Sequence, residues 1–91
     1  MRLEYHIVVS GRVQGVGFRW FAKQTAESYG LSGWVKNNSN GNVEIIVQGN
    51  EKFLALFADK MNEGPGYSLV SSVDIEMYPE TKKYEGFTVL H

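Results

Sequence analysis

Residues 3–29 have the sequence LEYHIVVSGRVQGVGFRWFAKQTAESY, in which a strand pattern is followed by a glycine-rich segment and then by a helix pattern. Apolar and polar residues alternate along Leu3–Ser10, which predicts a half-buried strand. Gly11–Gly17 contains three glycines and breaks this period, and apolar residues then recur at helical spacing along Phe18–Tyr29. A strand joined so directly to a helix predicts a crossover to a parallel strand of the same sheet.

The rest of the chain continues with strand and helix patterns of similar length. Further strands are predicted, in chain order, at Leu31–Asn37, Asn42–Gln48, Leu69–Tyr78 and Gly86–Leu90. A second helix is predicted from Glu51 to Asn62, with Asn50 as its N-cap. Residues 79–83 are polar and predict a connection, and Gly30 is placed to end the first helix.

This order of elements predicts an α+β fold, the ferredoxin-like βαββαβ sandwich. We expect a mostly antiparallel sheet with both helices on one face and a short extra C-terminal strand, and we expect residues 1–91 to form one domain. In this topology the third strand lies between the first two, whose ends are then about 10 Å apart. Residues at those two ends can share one small ligand.

The composition narrows the possible functions. The chain has no cysteine, so disulfides, thiolate metal sites and a cysteine nucleophile are excluded. Its net charge is −1 and its basic residues are scattered, which disfavours a nucleic-acid partner. The run Ile7–Val9 is too short for a membrane span or a signal sequence, so we expect a cytoplasmic protein with no membrane partner. Polar outer positions on both helices favour a monomer.

The segment Gly11–Arg19 is a candidate anion site, because it leads directly into a helix N-terminus, where unpaired N–H groups and the positive dipole end converge. Glycines at 11, 15 and 17 allow the N–H groups to turn inward, and Arg19 can add a two-pronged charge. No Lys-Ser or Lys-Thr follows the last glycine, and Trp20 stands where a dinucleotide fingerprint has its third glycine, so ATP and NAD are disfavoured. The glycine pattern alone is also compatible with a simple connection.

Two segments resemble the signatures of the acylphosphatase family: GRVQGVGFR at Gly11–Arg19 and GWVKN at Gly33–Asn37, followed by Gly41, at matching separation. The resemblance extends over almost the whole chain. It implies that Arg19 binds phosphate and that Asn37 orients the attacking water. It also implies a phosphate cradle of backbone amides from Gln14, Gly15, Val16, Gly17 and Phe18. The implied activity is metal-independent hydrolysis of small-molecule acyl phosphates, with no cofactor.

The chemistry of acyl phosphates agrees with this set of residues. The leaving carboxylate has a conjugate acid with a pKa of about 4, so its departure needs little help from a general acid. The reaction does need charge stabilisation on the phosphoryl oxygens and a water in line with the breaking bond. Asn37 can hold that water but cannot deprotonate it. Because neither motif contains a histidine or a carboxylate, we expect a phosphate oxygen of the substrate to take the proton.

The remaining polar and aromatic residues have simpler interpretations. The side chains that we expect to be solvated or structural, without a metal or ligand role, are His6, His91, Arg12, Lys23 and Lys36. Trp34 has the spacing of a core residue, whereas Trp20 lies off the apolar stripe of its helix and is expected to border the site.

Three functions besides hydrolysis are compatible with parts of this pattern. The RNA-recognition motif shares the element order, but it needs aromatic residues on the open sheet face. The residues expected on that face are Glu4, His6, Val8, Glu44, Ile46 and Gln48. The stacking aromatics and the basic rim of that motif are therefore missing, which disfavours RNA binding. The second function is that of an acylphosphatase-like domain that handles carbamoyl phosphate during hydrogenase maturation, and the third is binding of a phosphorylated metabolite without hydrolysis. The physiological substrate stays open among acetyl phosphate, carbamoyl phosphate and 1,3-bisphosphoglycerate.

Overall fold

The computed structural model describes residues 1–80 and 82–91, so Thr81 of the predicted polar connection lies outside the described residues. Its elements are β1 (Arg2–Arg12), α1 (Phe18–Ser28), β2 (Ser32–Asn37), β3 (Val43–Asn50), α2 (Glu51–Glu63), β4 (Leu69–Pro79) and β5 (Phe87–Val89). The five strands form a sheet in the order β4-β1-β3-β2-β5. Only the β2–β5 pair is parallel among the described neighbours. This is the predicted α+β ferredoxin-like fold, with β5 as the extra strand.

The strand register places the end of β1 near the end of β2, where the candidate ligand residues lie. Val43 of β3 pairs with Val9 of β1 on one side and with Asn37 of β2 on the other. Because β1 and β2 are both antiparallel to β3, they run parallel to each other and end on the same side of the sheet. Two strand spacings separate them, about 10 Å. The predicted proximity of Asn37 to the segment after β1 is therefore confirmed.

Both helices pack on one face of the sheet, as predicted. The residues that α1 and α2 bury are Phe18, Ala22, Ala26, Leu54, Phe57, Ala58 and Met61. The end of α1 is a Schellman motif, because Gly30 has a φ of 68° and Leu31 N donates to Ala26 O at 2.9 Å. At the start of α2, the Asn50 side chain accepts from the backbone N–H of Lys52 at 3.0 Å. The described helices include none long and apolar enough to span a membrane.

Gly11 differs from the role predicted for it. β1 continues to Arg12, and its pairing with β4 shifts register between Ser10 and Gly11. Gly11 has a φ of 123°, and a Cβ there would lie 2.2 Å from the carbonyl oxygen of Leu69. Its glycine is therefore required by a β-bulge against a neighbouring strand. Gly11 belongs to the sheet, and the loop available for an anion begins after Arg12.

The helix-free face of the sheet is more covered than predicted. Glu4 and Ile46 are only 6% exposed and Gln48 is fully buried. The cause is that Lys82 and Tyr84, which lie between β4 and β5 in the chain, contact this face. The Gln48 amide donates to the carbonyl oxygen of Lys82 and accepts from Tyr84 N at 3.1 Å. The prediction of an open face was therefore wrong for these positions.

Trp34 and His6 also lie on the helix-free face. Trp34 is half-buried beside Lys36, whose ammonium lies 5.5 Å from the indole centroid, so the prediction of a core position was wrong. The reason is strand parity: the neighbouring Val35 takes the helix-facing position and is fully buried. His6 Nε2 contacts a Glu4 carboxylate oxygen at 2.5 Å. That contact agrees with the structural role expected for His6.

Candidate active site

The loop between β1 and α1, residues 13–17, is shaped by two glycines. Gly15 and Gly17 have φ angles of 75° and 82°, and Gly17 is the N-cap of α1. A Cβ at either position would meet no atom within 4 Å, so glycine is required by the backbone angle and not by space. Val13 is buried in the core and fixes the start of the loop.

The backbone N–H groups of this loop and of the first turn of α1 are available to a ligand. In the described part of the chain no side chain caps α1, and the first turn of this helix contains no acidic residue. Among the described residues, none accepts a hydrogen bond from the backbone N–H groups of residues 15–20. Clustered N–H groups at the positive end of a helix dipole bind anions. The arrangement therefore suits a group with several negatively charged oxygens.

The side chain of Gln14 ties the loop to the β2–β3 turn. Gln14 Nε2 donates to Asn38 O at 2.8 Å and to Asn42 O at 2.9 Å. Asn38 directly follows Asn37, so these bonds fix the loop relative to the end of β2. Only the backbone amide of Gln14 was predicted to take part in the site, and the use of its side chain was not foreseen.

Arg19 is held toward the sheet by the residues after β5. Its Nη1 donates to Leu90 O at 3.1 Å and to His91 Nδ1 at 3.2 Å. Leu90 N in turn donates to Val35 O at 2.8 Å, which places this contact beside β2. No carboxylate in the described part of the chain forms an ion pair with Arg19. The guanidinium charge is therefore available to an anion.

Asn37 presents an unpaired polar atom at the end of β2. It shares strand parity with the fully buried Val35, so its side chain lies on the helix-bearing face. The side-chain oxygen, Oδ1, is buried and accepts no hydrogen bond from any described residue. Leaving such an atom unpaired costs about 1–3 kcal/mol, which a water or a ligand that donates a hydrogen bond would offset.

One cavity of about 590 Å³ joins these features. Its lining residues are Val13, Gly15, Gly17, Phe18, Arg19, Trp20, Lys23, Asn37, Phe87, Thr88, Val89 and His91. The structure thus brings together five of the predicted site residues and places Trp20 at the same cavity. Gln14 and Val16 do not line it: Gln14 is turned toward the β2–β3 turn, and Val16 packs against the core. The described lining contains basic residues and no acidic one, which favours an anionic ligand.

Lys23 was predicted to be solvated or surface-paired and His91 to be structural or solvated, and the structure also places both at the cavity. Lys23 Nζ donates to Glu27 Oε2 at 2.8 Å and to Phe87 O at 3.0 Å, so it joins α1 to β5. The spacing of Arg19 and Lys23, four residues apart on one helix, was the signal that could have identified Lys23. For His91 the sequence offers no local signal, because its contact with Arg19 spans 72 residues.

Comparison with known proteins gives a consistent result. The sequence profile of the acylphosphatase family matches residues 5–89. The acylphosphatase of Bacillus velezensis is 42% identical over 87 residues, which cover 96% of this chain and 97% of that protein. The crystal structure of acylphosphatase from Bacillus subtilis superimposes with a TM-score of 0.95 at 37% identity, covering 98% of this chain and 99% of that one. The much longer HypF of T. kodakarensis matches 99% of this chain with 12% of its own length, at a TM-score of 0.85 and 31% identity.

Proposed function

Because this chain belongs to the acylphosphatase family and hydrolyses acyl phosphates, we propose that the reaction takes place in the cavity between Arg19 and Asn37. The observation that carries the proposal is the buried, unpaired Oδ1 of Asn37, which lines the same cavity as an unneutralised guanidinium. A phosphoryl group and a water molecule are the two ligands that this pair of side chains suits.

The phosphoryl group binds at the N-terminal end of α1. Its oxygens accept from the backbone N–H groups of the loop, Gly15 to Phe18, and from Arg19. Arg19 donates only through Nη1 to its protein partners among the described contacts, so its other N–H groups are available to the phosphate. These donors are fixed before the substrate binds. They therefore stabilise the charge that spreads over the phosphoryl oxygens in the transition state without reorganising.

Asn37 orients the water that attacks phosphorus. Its Oδ1 accepts a hydrogen bond from the water, whose oxygen forms a bond to phosphorus as the bond from phosphorus to the carboxylate oxygen breaks. The electron pair of the broken bond leaves with the carboxylate. One proton of the water passes to a phosphoryl oxygen, and the products are a carboxylate and dihydrogen phosphate.

The proton goes to the substrate because the described lining of the cavity offers no suitable base. His91 is the one titratable group at the described lining that could compete for it. Its Nδ1 accepts from Arg19, which never gives up its proton, so the neutral ring carries its hydrogen on Nε2. In that tautomer neither ring nitrogen has a free lone pair. The pH dependence of kcat/KM in wild type and in His91→Phe tests this: we expect the same profile, and loss of an essential basic group in the variant would contradict it.

The roles of Arg19 and Asn37 can be tested by the hydrolysis of benzoyl phosphate in the presence of EDTA. Losing one hydrogen-bonding group of the transition state costs about 10²–10³ in turnover, and we expect a loss of that size in Arg19→Ala and in Asn37→Ala. Arg12→Ala and Asn62→Ala are matched controls, because both side chains are exposed and neither lines the cavity. Circular dichroism verifies folding. A folded Arg19→Ala or Asn37→Ala variant with wild-type turnover would overturn the assignment.

The oligomeric state and the location of the enzyme are part of the same proposal. We propose that the enzyme acts as a monomer, because the outer positions of both helices are mostly polar. We also place it in the cytoplasm, since the chain lacks the disulfides that small secreted domains use for stability. Light scattering after size-exclusion chromatography and cell fractionation test these two statements.

A further inference from the structure

The cavity is larger than a phosphate needs. Its volume of about 590 Å³ falls within the range of about 300–1,000 Å³ that is typical of pockets for whole organic ligands. The phosphate donors, in the loop and at the start of α1, form only part of its lining. The rest of the cavity therefore surrounds whatever group is attached to the phosphate.

Most of the remaining lining is apolar. Val89 of β5 contributes to it from the sheet, beside Phe87, whose ring is only 4% exposed and packs toward Phe57 in the core. Trp20 contributes from α1. Lys23 adds its hydrocarbon stem, because its ammonium is engaged by Glu27 and by the carbonyl oxygen of Phe87. A wall of this kind suits a group without charge.

Trp20 is unusual among these residues because packing does not explain it. The buried stripe of α1 consists of Phe18, Ala22 and Ala26, and Trp20 lies outside it with 59% of its surface exposed. An indole that is exposed to solvent yet lines a cavity is available for stacking against a flat apolar ligand. It lines the same cavity as Arg19, so a group attached to a phosphate at Arg19 can extend toward it.

We propose that Trp20, with Val89, forms an acyl-binding subsite that favours aromatic acyl phosphates over short ones such as acetyl phosphate. The inference rests on the proposed function, because the acyl group reaches this wall only when the phosphate lies at Arg19. Binding of the aromatic ring against the indole stabilises the complex, whereas an acetyl group is too small to contact it. Trp20 thus determines specificity and takes no part in bond breaking.

The test compares two substrates across wild type and three variants. The value of kcat/KM is measured with benzoyl phosphate and with acetyl phosphate for wild type, Trp20→Ala, Trp20→Phe and Tyr67→Ala. Tyr67→Ala is the matched control, since Tyr67 is 88% exposed and does not line the cavity. Each value is divided by the wild-type value for the same substrate, which removes the difference in intrinsic reactivity.

We expect Trp20→Ala to lower kcat/KM for benzoyl phosphate by about tenfold and to change the value for acetyl phosphate less than about twofold. Trp20→Phe should keep most of the wild-type kcat/KM for benzoyl phosphate, and Tyr67→Ala should change kcat/KM for neither substrate. Inhibition by inorganic phosphate should have the same Ki in Trp20→Ala as in wild type, because phosphate alone does not reach the subsite. Equal loss for both substrates, or no loss for either, would overturn the subsite.

The two hypotheses fail in different ways. If Trp20→Ala leaves the preference unchanged while Arg19→Ala abolishes hydrolysis of both substrates, the subsite is wrong and the proposed active site stands. If Arg19→Ala hydrolyses both substrates at the wild-type rate, the proposed active site is wrong, and the subsite fails with it.

Discussion

The side chain of Gln14 should matter for both stability and catalysis, and Gln14→Ala tests this. The substitution removes two hydrogen bonds, to Asn38 O and to Asn42 O. Each carbonyl oxygen keeps another donor, since Gly41 N donates to Asn38 O and Asn38 N donates to Asn42 O. No carbonyl is left unpaired, so the loss lies toward the lower end of the range for two neutral bonds, about 1–2 kcal/mol.

This loss should be visible in thermal unfolding and in activity. For a domain of this size, the expected decrease in Tm is about 5–10 °C. The loop would also lose its fixed position relative to Asn37, and a displacement of about 1 Å between groups that act together can cost up to about 10² in rate. We therefore expect kcat/KM for benzoyl phosphate to fall by about ten- to a hundredfold at a temperature where the variant is folded.

Two further variants make the result decisive. Gln24→Ala is the matched control, because Gln24 is exposed on α1, and it should stay within about 0.5 kcal/mol of wild type. Gln14→Glu keeps the size of the side chain but turns an acceptor toward two carbonyl oxygens, so it should be at least as damaging as alanine. If Gln14→Ala matched Gln24→Ala in both Tm and kcat/KM, the hydrogen bonds of Gln14 would not position the loop.

Three more substitutions probe the framework around the site. Gly33→Ala should lower the free energy of unfolding by about 3 kcal/mol or more, because its Cβ would lie 1.9 Å from the carbonyl oxygen of Ile46; an unchanged denaturant midpoint would contradict the close strand approach. Gln48→Ala should cost about 1–3 kcal/mol but leave kcat/KM unchanged, since this buried residue lies on the helix-free face, away from the cavity; an equal loss of activity would show that the two regions are coupled. Glu76→Gln should lower the pKa of Tyr78, which the negative charge of Glu76 raises, as followed by phenolate absorbance. Because a raised tyrosine pKa gives a contribution to stability that is lost as pH rises through it, wild type should lose more stability than this variant under strongly alkaline conditions.

The local elements were predictable because their signals lie within short stretches. Alternation along β1, the glycines before α1 and the Schellman glycine at Gly30 each act over a few residues, and the observed boundaries follow them closely. The shared location of Arg19 and Asn37 was also predictable from the two signature segments. A crossover helix and an intervening strand place the ends of β1 and β2 on the same side of the sheet, and both residues line one cavity.

What the sequence did not predict depends on contacts between distant parts of the chain. Gly11 serves a bulge against β4, and Gln48 is covered by Lys82 and Tyr84, more than 30 residues away in the chain. In the same way, Lys23 and His91 belong to the cavity because β5 adds to the free edge of β2 and is followed by the residues that contact Arg19. Apart from the spacing of Arg19 and Lys23 on one helix, these positions carry no local signal in the sequence. Only the order of strands in the sheet reveals them.

The atom that the water attacks can be identified directly. Benzoyl phosphate is hydrolysed in water enriched in oxygen-18, with enzyme in excess so that a single turnover is observed. If Asn37 presents the water to phosphorus, the label enters inorganic phosphate and the benzoate carries none, as determined by mass spectrometry of both products. Label in the benzoate would mean that water attacks the carbonyl carbon, and it would contradict the roles given to Arg19, the loop amides and Asn37.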